Sequence, residues 1–135
     1  MKSLISLSFL PRSPDLALLL LRLWLGLSML ILHGWPKLLK LTSGEHKFPD
    51  PLHIGTTPSL TLAFVGEIAG AILLVLGLWG RLAALMLATT MGVAWGMTHQ
   101  MKLTGEGSGE LAFIYFAGFL AILFAGSGRF SVDNN

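Results

Sequence analysis

Glu67 lies in the run Leu62–Arg81, LAFVGEIAGAILLVLGLWGR, where every other residue as far as Trp79 is apolar or glycine. A carboxylate at that depth costs about 2.5–3.5 kcal/mol to place in a bilayer, so it faces a partner or a cavity. His33 and Lys37 stand four residues apart and share one helical face. His99 and Glu110 fall at the ends of later apolar runs. Together these groups accept and donate protons, and Trp35 and Trp95 offer flat faces. Such a set suits the carbonyls of a flat redox ring such as a quinone. Glu67 and His33 are then the proton-handling pair, with Arg22, Lys37, Trp35, Trp95, His99 and Glu110 as binding residues. No HxxxH or ExxH pair falls on one helix, so no metal site is expected. Each residue also has a plainer use: lysines, histidines and tryptophans anchor helix ends at membrane interfaces, and the methionines of the third run fill gaps.

Arg22 stands apart, in an apolar run of its own about 10 Å from the opposite end. Two arrangements satisfy it. It pairs with Glu67, or it reaches back to the interface while Glu67 is protonated.

These residues need elements to hold them. A bilayer core takes roughly 17–25 apolar residues to cross, and four runs come close: 15–35, 59–79, 81–99 and 110–126. Asp15 is a reasonable helix cap, while Pro36, Gly80, GEGSG at 105–109 and GSG at 126–128 supply the breaks. The joint at Gly80 and Arg81 is short enough to force an antiparallel hairpin. The loop 37–58 is long for a bundle and carries Pro49, Pro51, Pro58, His46, His53 and Asp50. Gly66-x-x-x-Gly70 and Gly92-x-x-x-Gly96 suit close helix contacts and turn Glu67 toward a seam. His33, Lys37, Glu67, His99 and Glu110 then gather in the half of the bundle away from the termini.

The 135-residue chain is 53% hydrophobic and only 12% charged, far from a soluble composition. Its formal charge of +2 suits loops flanking membrane helices and gives no reason to expect nucleic acid. With no cysteine, disulfides, thiolate metal sites and CxxC redox chemistry are excluded, and no covalent cofactor signature is present. The segment MKSLISLSFLPRSPD reads as retained at the interface, because Pro11, Arg12 and Pro14 interrupt its apolar part. Lys2, Arg12, Arg81 and Arg129 lie on the side of the termini, against Lys37, Lys40, Lys47 and Lys102 opposite. The count is even; the arginines lean toward a cytoplasmic placement of the termini.

The first helix, RLWLGLSMLILHGWPKLL, with Arg22, Gly26, His33, Gly34 and Lys37, resembles the opening of DoxX-family membrane proteins. VGEIAGAILLVLGLWGRLAAL is similar to that family's Glu-bearing helix and hairpin, and GSGRFSVD to its ending. The long first loop departs from the shortest members. The resemblance implies an all-α, integral membrane four-helix antiparallel bundle forming one domain over 1–135. It implies a bacterial-type inner-membrane location, multi-pass, and a component of an oxidoreductase system working with a larger membrane redox complex or as a homo-oligomer. The alternative is a non-catalytic structural or assembly subunit of such a complex.

Overall fold

The computed structural model describes residues 1–44 and 47–133; His46 of the long loop lies outside them. Among the described residues the chain is all helix, with no strand. A short helix α1 (Lys2–Ile5) precedes four long ones. The first, α2, runs Pro14–Ser43. Next come α3 (Thr56–Leu76) and α4 (Gly80–Val93), the latter extended by a π-helical stretch, Ala94–Thr98. Finally α5 spans Glu110–Ala125.

The start of α2 is fixed by Ser13, whose hydroxyl accepts the Leu16 amide at 3.1 Å, so the cap is Ser13 and not Asp15. Pro14 occupies the first turn, where its missing N–H is harmless. Pro36 does not end the helix. Residues Met29–Gly34 are wound as a π-helix, and the Trp35 amide bonds to Leu30 O, five residues back. The hydrogen-bond register slips by one residue there, so Pro36 falls in the first turn of a renewed α-helix, Trp35–Ser43. The helix ends only at Gly44, in the left-handed region at φ +76. The intervening loop is correspondingly shorter than the sequence suggests.

The hairpin joint sits at residues 77–79, slightly before Gly80. Gly77 takes φ +71, and a Cβ there would collide with Arg22 and Ser131. Along the hairpin, a Cβ on Gly70 would press on Leu87 at 2.9 Å, and one on Gly66 would sit 3.0 Å from the Thr90 hydroxyl. These glycines let α3 and α4 approach. Gly92 faces Phe116 of α5, whereas nothing lies near Gly96. Helix α4 packs on both α3 and α5, and α2 lies against α3 and more lightly against α5. Ala71, Leu74, Ala83, Leu87, Phe119 and Ile122 form the fully covered core.

The outer surface is as apolar as the interior: Leu20, Trp24, Ile31, Leu32 and Phe124 are all exposed, while Arg22 and Glu67 are buried. Pro14–Ser43 and Thr56–Leu76 are long and apolar enough to cross a membrane, and Glu110–Ala125 is a shorter apolar helix. A water-soluble domain does the reverse with its charges.

Residues 126–133 fold back as a strap across the hairpin end. The Arg129 amide donates to Asp15 Oδ1 at 2.9 Å, and the Val132 and Asp133 amides donate to Leu76 O and Gly77 O, each at 3.1 Å. Asp133 also accepts the Trp79 amide, and Ser127 is packed where a Cβ on Gly80 would be.

Candidate functional site

The renewed α-helix after the π-helical stretch carries Lys37 inward. Its Nζ lies 2.7 Å from Glu67 Oε2 of α3 and donates to His33 O at 3.3 Å. Both side chains are largely covered, the lysine 14% and the glutamate 4% exposed. An ion pair so shielded from water interacts far more strongly than a surface pair, and each partner offsets the other's desolvation.

The pair lies at one wall of a cavity of about 550 Å³. That volume is within the range of small-molecule sites. Beside the pair, His33 and His99 reach the cavity from α2 and from the end of the π-helical stretch of α4. The imidazole of His33 meets the Tyr115 ring edge-on at 5.4 Å, and Tyr115 stacks on Phe119 at 5.8 Å. His99 Nδ1 is 3.0 Å from Gly107 O. The remaining lining is mainly apolar, from Leu62, Ala63, Met86, Val93, Ala94 and Leu111.

Loop residues Phe48, Pro49, Pro51 and Leu52 close one side. The Phe48 ring lies 5.9 Å from Lys37 Nζ and 6.0 Å from Lys40 Nζ, within reach of a cation–π attraction. Asp50 shapes this loop by accepting the Ser59 hydroxyl at 2.7 Å, the Gly55 amide at 2.9 Å and the Ile54 amide at 3.0 Å. The Ser59 bond chiefly holds the Asp50 carboxyl below the ordinary range, against a partial loss of hydration; the two amides and nearby His53 add to it.

Four of the residues singled out in the sequence therefore gather here: His33, Lys37, Glu67 and His99. Four do not. Trp35 points outward and is 58% exposed. Trp95 packs on Phe113 at 4.9 Å, its Nε1 buried without a partner among the described residues. Glu110 opens α5 with its side chain exposed.

Arg22 belongs to the strap and not to the cavity, and it does not pair with Glu67. Its Nη1 donates to Leu74 O at 3.2 Å and Val75 O at 3.3 Å, and its Nη2 donates to Phe130 O. Leu74 O also accepts the Gly77 amide at 3.1 Å, and these carbonyls at the negative end of α3 hold the charge of the buried guanidinium. Leu74 is two turns further along α3 than Glu67, about 10 Å away, which puts the carboxylate out of reach.

Tyr115, Phe48 and Thr90 are not visible as site residues in the sequence, because an aromatic or a threonine inside an apolar run carries no signal of what it faces. Thr90 donates its hydroxyl to Met86 O at 2.9 Å, which leaves no free donor there. No group of three metal-ligating side chains gathers among the described residues.

An inside-out helical protein with a polar pocket in one half defines a class of small membrane proteins. The DoxX family model matches residues 17–100, and the chain belongs to the DoxX family, which resides in membranes. It is similar to an uncharacterized protein of Haemophilus influenzae, 37% identical over 118 residues, covering 78% of this chain and 81% of that one. No solved structure matches it.

Proposed function

We propose that the protein is a membrane-embedded component of an oxidoreductase system and that the cavity beside Lys37 and Glu67 binds a quinone or similar lipid-soluble redox ring. In this reading α2 to α5 span the bilayer as an antiparallel four-helix bundle. The observation that carries it is the ion pair at the wall of a mainly apolar cavity of about 550 Å³. Apolar walls take up the ring, and a small number of placed polar groups orient it.

A quinone supplies a carbonyl pair that takes up two electrons and two protons. Lys37 Nζ, with one donor to spare beyond Glu67 and His33 O, is placed to hydrogen-bond a carbonyl oxygen. Glu67 is the proton reservoir beside it, and His33 and His99 are the neighbouring groups able to pass protons toward the loop side. The chain has no cysteine pair to carry electrons, so in this reading the electrons come from a partner redox protein.

The test is direct titration of the nanodisc-embedded protein with a benzoquinone whose ring positions are fully substituted. Binding that weakens at least tenfold in both Lys37→Met and Glu67→Gln supports the reading. Binding that is absent, or indifferent to both changes, overturns it and favours a purely structural subunit.

A further inference from the structure

The hairpin of α3 and α4 is not closed along its whole length. Near the joint the two helices touch: Gly70 faces Leu87 and Ala83, and one step further Gly66 faces the Thr90 hydroxyl. Beyond that step both helices line the cavity. On α3 the stripe is Ser59, Leu62, Ala63 and Gly66, and on α4 it is Thr90, Val93 and Ala94. Both stripes follow the spacing of a single helical face, so each helix turns one face to the gap.

The gap reaches the outside. Leu62 lines the cavity yet is 58% exposed, and Thr89 beside Thr90 is likewise both lining and exposed. The α3 stripe from Ser59 to Gly66 lies about 4–15 Å in from the loop end of α3, level with exposed Val65 on the outer face of the same helix. Toward water, by contrast, the loop residues Phe48 to Leu52 sit over the cavity.

We propose that this gap is a lateral slot open to the hydrocarbon layer, and that the molecule bound at Lys37 and Glu67 enters through it and leaves an apolar tail lying between α3 and α4. Gly66 and Thr90 form the sill, and the bare Cα of Gly66 sets how thick a tail fits. The proposal rests on the quinone reading for the ring and on the helix geometry for the tail. It makes the substrate class amphipathic: a ring small enough for the cavity carrying an unbranched or thin apolar chain.

The chain contains no cysteine, so a Thr90→Cys variant of the whole protein in nanodiscs has one thiol, placed on the sill. Its reaction rate is measured with a lipid-partitioning maleimide and with a sulfonated, membrane-impermeant one. A Glu106→Cys variant, at an exposed loop residue outside the cavity lining, serves as the water-facing reference. The slot predicts that the ratio of lipid-borne to water-borne rates is at least tenfold higher for the sill thiol than for the loop thiol. Equal ratios overturn it. The same rates are then measured with two fully substituted benzoquinones, one bearing a ten-carbon tail and one bearing none. The tailed ring slows labelling of the sill thiol at least fivefold and the tail-less ring less than twofold. Equal protection by both overturns the tail placement. If the lipid-borne reagent is favoured but neither ring protects, the quinone reading fails while the lateral opening stands.

Discussion

Lys37 Nζ and Glu67 Oε2 are 2.7 Å apart, whereas the buried Arg22 donates through its two Nη atoms to backbone carbonyls. The carboxylate therefore depends on one lysine, which comes from the far side of a proline. Lys37→Met leaves Glu67 buried and alone, and stability falls by about 3–5 kcal/mol. The double change Lys37→Met with Glu67→Met recovers most of that loss, because two apolar groups replace the pair. Reversible unfolding in mixed detergents reads both values, and a single variant as stable as the parent would show that the contact contributes nothing.

The π-helical stretch of α2 is a register device. Deleting Ile31, which is 63% exposed on the outer face, lets the stretch rewind as a regular α-helix. The deletion takes out the one extra residue that the wide turn accommodates, so everything beyond it keeps its face and Lys37 stays opposite Glu67. The deletion is therefore expected to cost far less stability than Lys37→Met. A deletion protein as destabilised as Lys37→Met contradicts that role.

Arg22 holds the strap. Its planar fork spans acceptors on α3 and on residue 130, a reach that a lysine's single ammonium cannot copy. Arg22→Lys should free residues 126–133, seen as faster amide exchange there, and lower stability by about 1.5–3 kcal/mol, the worth of charged hydrogen bonds. Exchange in α5 serves as the internal reference.

Gly77 is strained for any other residue. At φ +71, Gly77→Ala meets both the left-handed penalty and the side chains of Arg22 and Ser131, and a loss above about 1 kcal/mol is expected. Gly105→Ala, also at positive φ but in open space, gives the penalty without the collision and costs less. Thermal midpoints of the two variants separate the contributions.

The loop over the cavity carries a pH dependence through Asp50. Its folded pKa is lowered, chiefly by the Ser59 hydroxyl, so the loop's stabilisation is fully present above the ordinary aspartate range near 3.9. It is lost as the pH falls through the lower folded value. Amide exchange at Ile54 and Gly55 should thus stay slow at about pH 5 after correction for intrinsic rates and rise only in stronger acid. Asp50→Asn should show the fast pattern at neutral pH, and a variant protected like the parent rules Asp50 out as the organiser.

Much of the fold can be read from the apolar runs, since length and the single inward carboxylate are strong signals in a membrane protein. Glu67 and its glycine neighbours reveal the hairpin seam. Lys37 is legible on the face of His33, but its pairing with Glu67 is not, because Pro36 reads as the end of the helix. A π-helical stretch has no compositional mark, and it alone moves Lys37 onto the inner face. The partners of Arg22 are equally silent, because backbone carbonyls are the same in every sequence. An arginine and a glutamate in neighbouring apolar runs invite pairing on charge alone, and the folded chain satisfies them separately.

The strap also sets a timetable. Arg22 and its acceptor on residue 130 are separated by 108 positions. At ordinary rates of synthesis that interval lasts on the order of ten seconds. During it the Arg22 guanidinium lacks its acceptor on residue 130. The end of the bundle bearing Arg22 therefore closes only once residues 126–133 have been made.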